Sequence, residues 1–138
     1  MVKKNLIKPR CGGLWTEAQY ITFVKNQLRG ATWKWKPISD CLKEARQTKG
    51  WYLCNGCKQI VPSTIKVGTK RVKNVLVDHI NPVVDPIKGF TTWDDFINNL
   101  FSEKDNLQVL CGACHTIKTT EERKLAVERR KNKKNELI

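Results

Sequence analysis

The sequence predicts an α+β chain with an N-terminal helical extension and a four-cysteine site. Three observations carry this. Apolar residues recur at helical spacing in two segments, Tyr20, Ile21, Val24, Leu28 and Trp93, Phe96, Ile97, Leu100, Phe101. Two short apolar runs, Val75-Leu76-Val77 and Leu107 to Leu110, have the length and composition of buried strands. Two C-x-x-C pairs, Cys54 with Cys57 and Cys111 with Cys114, sit on either side of the first of those strands.

Residues 1 to 13 are basic, end in Gly12-Gly13 and read as a mobile arm. Thr16 offers an N-cap to a first helix that Gly30 stops. If the segment Ala31 to Lys36 is extended, Trp33 and Trp35 share one side and Lys34 and Lys36 the other. The rings then anchor the helical pair to the core, and the lysines face a polyanion. Pro37 suits the N1 position of a second helix carrying Cys41, Leu42 and Ala45, with Gly50 as its stop. The first knuckle is Cys54-Asn55-Gly56-Cys57, where Gly56 permits a left-handed turn. Residues 60 to 74 alternate apolar and basic side chains, broken by Pro62 and Gly68. They fit a short hairpin with Lys66, Lys70, Arg71 and Lys73 about its tip.

The strand Val75 to Val77 leads directly into Asp78 and His79, and Asn81-Pro82 ends it. A loop with Pro86 and Gly89 follows. Thr92 then caps a helix whose first-turn Asp94 and Asp95 suit the helix dipole. Asp105-Asn106 marks a turn. The second knuckle, Cys111-Gly112-Ala113-Cys114, runs into His115 and a helix, and from Arg123 onward the charge is mostly positive, as in a fraying tail.

The chain of 138 residues has room for one domain with tails, and its 40% hydrophobic share excludes a wholly disordered chain. Lys plus Arg number 26 against 13 Asp plus Glu, a formal net charge of +13. Solubility asks for roughly 2 to 8 in a small domain, so the surplus points to a polyanion. Nucleic acid leads, because each neutralised phosphate releases counterions; an anionic membrane surface is the weaker option. The longest apolar runs are about four residues, far below the ~20 of a membrane span. No apolar segment follows the basic start, so a secreted chain is not expected and a reducing cytoplasm is. Disulfides are then the poorer reading of the six cysteines. Cysteines three apart on a tight turn aim both sulfurs at one point, and two such pairs suit a closed tetrahedral zinc site of structural type. Cys11 and Cys41 read as ordinary small buried residues.

The insert between the knuckles holds Asp78 and His79, and the only other histidine is His115. Asp78-His79-Ile80-Asn81-Pro82, followed by Asp105-Asn106-Leu107-Gln108-Val109-Leu110-Cys111-Gly112-Ala113-Cys114-His115-Thr116-Ile117-Lys118-Thr119, resembles the HNH endonuclease pattern: a D-H step, a later N-L-x-x-L, and C-x-x-C-H-x-x-K-T. The cysteine pairs match its four-cysteine, zinc-bearing branch, over roughly residues 51 to 120. The N-terminal part is similar to small phage-encoded HNH proteins. The resemblance implies a ββα-metal (His-Me finger) core. Asp78 and His115 would hold one divalent ion, Mg²⁺ or Mn²⁺. His79 would be the general base, and Asn106 would hold its loop and orient the imidazole. Many members carry a further histidine ligand in the last helix; this chain has Lys118 and Thr119 instead. Lys118 is expected either at phosphate or as a solvated helix residue.

These expectations give residues 1–50 as basic arm and helical extension, 51–122 as zinc-bound nuclease core and 123–138 as basic tail. The expected function is metal-dependent nicking or cutting of DNA, in a phage setting with DNA packaging proteins as candidate partners. The hairpin cations Lys66, Lys70, Arg71 and Lys73 would make phosphate contacts. The residue types suit the chemistry: imidazole takes a proton near neutral pH, and a hard cation neutralises phosphate charge. Two rivals are a zinc-stabilised DNA-binding module without catalysis and a structural adaptor.

Overall fold

In the computed structural model the described residues are 6 to 136. The chain divides into two units, Met1–Lys34 and Trp35–Ile138.

In the first unit, helix α1 spans Glu17–Gly30. Thr16 closes a full capping box: the Gln19 N–H donates to Thr16 Oγ1 at 3.2 Å, and the Thr16 N–H donates to Gln19 Oε1 at 2.8 Å. The expected mobile arm lies partly outside the described residues. Its later part is folded back, with Arg10 bridged to Trp15 through the backbone. The Arg10 guanidinium meets the Glu17 carboxylate at 3.0 and 3.2 Å and lies 4.1 Å from the Tyr20 ring centroid. Cys11 is exposed rather than buried. The tryptophan segment is not extended either. Thr32–Lys34 forms a turn of 3₁₀ helix, with Trp33 75% exposed.

The second unit is built on mixed helices and small antiparallel sheets. Trp35 opens it as an anchor: its Nε1–H donates to the Ser102 carbonyl at 2.6 Å, and its ring meets Phe101 edge-on at 5.6 Å. Helix α2 (Lys36–Ala45) carries Pro37 in its first turn. Ile38, Cys41, Leu42 and Ala45, at spacings of three and four, pack on Val75, Leu107 and Val109. This helix is therefore part of the core. It ends at Ala45, before Gly50, because Arg46–Thr48 forms strand β1. Gly50, at φ +80°, closes the tight Lys49-Gly50 turn that pairs β1 with β2 (Trp51–Leu53). Strand β3 (Ile60–Pro62) pairs antiparallel with β2 across the first knuckle.

Strands β4 (Thr64–Val67) and β5 (Lys70–Lys73) form a separate two-stranded ribbon, as the alternation predicts. The central pair is β6 (Val75–His79) with β7 (Leu107–Cys111), antiparallel from Val75↔Cys111 to His79↔Leu107. Between them lies α3 (Trp93–Leu100), capped as expected: Thr92 Oγ1 accepts from the Asp95 N–H at 3.1 Å. Phe96 and Leu100 are buried, and Phe96 stands among Phe90 and Trp93. Ile97, expected in the same stripe, is 39% exposed. From Gly112 one helix, α4, runs to Glu136. The expected fraying tail is helical over its described residues. It is held part-way by Arg129, whose Nη1 donates to the Pro86 carbonyl at 3.2 Å. Among the described residues no helix is long and apolar enough to cross a membrane.

Phe96 is 1% exposed, so Phe96→Ala should cost about 3–5 kcal/mol. Ile97→Ala, one residue on, should cost less than about 1 kcal/mol. Denaturant midpoints of the two variants check the contrast.

Candidate metal centre and adjoining site

The loop from β2 to β3 carries the first knuckle, and the β7–α4 junction carries the second. Their sulfurs meet: the ligand atoms of Cys54, Cys57, Cys111 and Cys114 all lie within 4.8 Å of one another. A tetrahedral ion with ~2.3 Å bonds to sulfur needs sulfurs roughly 3.8 Å apart. All four are free thiols, so the cluster can hold a metal ion such as zinc. Cys54 is fully buried and Cys57 is exposed.

Backbone donors prepare the cluster for negative charge. The Cys111 N–H donates to Cys54 Sγ at 3.2 Å. Burial pushes the Cys54 thiol up, but hydrogen bonds from the Cys111, Cys57 and Gly56 backbones and the Cys57 side chain bring it down to about 6. Cys114 is pushed up to about 12, first by its hydrogen bond with Cys111, then by burial and by the Cys54 and Cys57 sulfurs. Without a cation, the crowded sulfurs cannot all ionise; a bound cation removes that conflict.

Glycine at position 56 serves space rather than handedness. The left-handed residue of this turn is Lys58, at φ 60°, and Gly56 is not among the residues of positive φ. A Cβ on Gly56 would stand 2.9 Å from Cys114 Sγ and 3.3 Å from Leu110 Cδ2.

At the other end of the same strand pair is a second group. Asp78, on β6, has a largely buried side chain, 13% exposed. Its two oxygens have different neighbours. Oδ1 faces His115 Nε2, on the first turns of α4, at 3.9 Å. Oδ2 accepts from Lys118 Nζ at 3.0 Å and from Gln108 Nε2 at 3.2 Å. A carboxylate oxygen and an imidazole nitrogen thus face each other across the β6–α4 contact.

His79 is the last residue of β6, and its Nε2 lies 2.8 Å from the Leu100 carbonyl. A carbonyl only accepts, so Nε2 carries a proton, which in the neutral ring leaves the lone pair on Nδ1. Asn106, placed by a 3₁₀ turn at Lys104–Asn106, grips the loop beyond His79. Its Oδ1 accepts from the Asn81 N–H at 2.9 Å, its Nδ2 donates to Ser102 Oγ at 3.0 Å, and its own carbonyl accepts from the Ile80 N–H at 2.8 Å. Asn106 thus holds the loop, while the contact to the imidazole comes from the Leu100 carbonyl.

The structure sets Asp78 facing His115 and joins Lys118 to Asp78 and to the His79 main chain, whereas the His79 ring meets the Leu100 carbonyl and Asn106 the loop beyond. Lys118 Nζ donates to Asp78, to the His79 carbonyl at 2.9 Å and to Glu122 Oε1 at 2.5 Å. Burial alone would lower its pKa; the Glu122 and Asp78 carboxylates outweigh this and hold it above the ordinary lysine value. These contacts, with a side chain 23% exposed, set it apart from the solvated alternative. The hairpin cations Lys66, Lys70, Arg71 and Lys73 are exposed, but on two faces. Register puts Lys66, Arg71 and Lys73 on one face with Thr64, and Lys70 on the other with Ile65, Val67 and Val72.

Sequence reasoning missed several partners. Gln108 also accepts at Oε1 from Asn55 Nδ2, 2.8 Å away, linking the first knuckle to Asp78. Asn74, 8% exposed, donates from Nδ2 to the Pro62 carbonyl and accepts at its own carbonyl from the Gly112 N–H. Glu122 carried only an i, i+4 signal with Lys118. Comparison with protein-family models, curated proteins and solved structures gives no match.

The cluster should take up one zinc per chain, read by elemental analysis of purified protein. Because protons compete for the thiolates, affinity should fall as pH is lowered. Cys57→Ser and Gly56→Ala should both weaken uptake. A folded chain that takes up no metal from zinc-containing medium would contradict this.

Proposed function

We propose that the chain is a metal-dependent endonuclease of the HNH class that hydrolyses DNA phosphodiester bonds. In this reading β6, β7 and α4 are its ββα-metal core, and the four cysteines hold a structural zinc. The carrying observation lies at one strand end: Asp78 Oδ1 faces His115 Nε2 at 3.9 Å, and Nε2 of the next residue, His79, is 2.8 Å from a backbone carbonyl. Asp78 and His115 would hold Mg²⁺ or Mn²⁺, which when bound supplies charge neutralisation at the phosphate and at the departing oxygen.

The remaining work falls to the chain's own residues. His79 Nδ1 takes the proton from the attacking water, and the Leu100 carbonyl stabilises the imidazolium by accepting from Nε2–H. Asn106 keeps the loop after His79 in place, so that the ring does not swing away from the phosphate. Lys66, Arg71 and Lys73, sharing one face of the β4–β5 ribbon, suit contacts with phosphates along a duplex.

Supercoiled plasmid should be nicked in Mg²⁺ or Mn²⁺ and spared in EDTA. His79→Ala should slow nicking by about 10²–10⁴-fold with DNA binding unchanged. His115→Ala should raise the divalent concentration required without releasing zinc. If the parent cuts under no divalent ion, the DNA-binding-module reading replaces this one.

The ribbon makes a separate prediction. Alanine at Lys66, Arg71 and Lys73 should weaken binding across DNA sequences and lower the salt slope by about 1 for each phosphate left without its cation. Lys70→Ala, on the opposite face, should change that slope less. Binding titrations at several ionic strengths check both.

A further inference from the structure

The Lys118 ammonium lies among three oxygens from three places in the chain. Asp78 Oδ2 is 3.0 Å away on β6, the His79 carbonyl 2.9 Å away at its end, and Glu122 Oε1 2.5 Å away on α4. The ammonium donates to the His79 carbonyl and to Glu122 and forms an ion pair with Asp78. Two carboxylates and a carbonyl are also the donor types that bind hard divalent cations. Here a side chain of the protein fills that set with a single positive charge, and that side chain is only 23% exposed.

We propose that Lys118 is the site's resident cation: it holds Asp78 Oδ2 within the cradle completed by Glu122 and the His79 carbonyl, so that only Oδ1 is offered to a divalent ion and the site takes one ion rather than two. The proposal rests on the reading of Asp78 and His115 as ligands, and it assigns Lys118 and Glu122 as positioning residues. A carboxylate that bridges through its two oxygens is the natural centre of a two-ion site, with ions ~3.5–4 Å apart. The two Asp78 oxygens face different neighbours, His115 and Lys118, so one of the two sides is already occupied. The same contacts tie the end of β6 to α4, and so set the spacing between Asp78 and His115.

The test is a Mn²⁺ titration of the zinc-loaded full-length protein without DNA, counting bound ions by loss of the free Mn²⁺ electron paramagnetic resonance signal. The parent should bind one Mn²⁺. Lys118→Met, which keeps the aliphatic stem and removes the charge, should bind two, with the broadened spectrum of a spin-coupled pair. Adding Glu122→Gln to Lys118→Met should return the count to one, and Lys118→Arg should stay at one. Lys118→Leu is neutral and donates to none of the oxygens; it should also bind two, and it serves if the methionine variant does not fold. If the folded neutral variants bind one ion like the parent, the proposal is overturned. If the parent binds none while Lys118→Met binds one that Glu122→Gln abolishes, the cradle stands and the Asp78–His115 reading falls. If none of the proteins binds Mn²⁺, both fall.

Discussion

The antiparallel pairing of β6 with β7 sets Val75 opposite Cys111 at one end and His79 opposite Leu107 at the other, and both chemical groups hang on that register. Side chains alternate along a strand, so a slip of one residue would turn Asp78 to the face now held by its neighbours and pull Cys111 away from the first knuckle. Two flanking contacts secure the ends. The Asn74 carbonyl accepts from the Gly112 N–H inside the second knuckle, and the Asn106 carbonyl accepts from the Ile80 N–H just past His79. The apolar packing behind the pair supplies the force. Val75, Leu107 and Val109 are buried against α2, and fully burying such side chains is worth about 1.5–3 kcal/mol each.

The cysteine cluster and the Asp78 group are joined by more than a common strand. Asn55, inside the first knuckle, donates to Gln108, and Gln108 donates to Asp78. Lys58 closes the near end by donating to Asn55 Oδ1 at 2.6 Å. Each of these hydrogen bonds contributes only about 0.5–1.5 kcal/mol net. Their role is alignment rather than stability: the knuckle that the cluster organises sets the direction in which Gln108 presents its amide to the carboxylate.

Local signals in the sequence carried a good part of the fold. Thr16 and Thr92 cap their helices as their side chains suggest, and the runs at Val75 and Leu107 are paired strands. The cysteine spacing located the cluster. The features that escaped depend on residues distant in the chain. Strand β1 is Arg-Gln-Thr, with no apolar alternation, and exists because β2 lies beside it. Gly56 is required by Cys114, far along the sequence. The Lys118 cradle draws one of its oxygens from the main chain, which leaves no mark in a string of side chains. For Asp78, His79, His115 and Asn106, a motif resemblance brought the residues to notice, and the fold supplied the neighbours of each oxygen and nitrogen.

The acceptor beneath His79 has an evolutionary consequence. Leu100 meets the imidazole through its carbonyl, while its side chain is 3% exposed in the interior. No codon change at position 100 deletes that carbonyl, so the imidazole's tautomer is insulated from drift that would erase a side-chain partner. The vulnerability moves elsewhere. A substitution that shifts the C-terminal end of α3, such as one that reshapes the pocket filled by Leu100 or Phe96, would turn the ring without altering any residue near it. The place of the ring therefore depends on side-chain volume in the α3 core rather than on the identity of any residue that touches it.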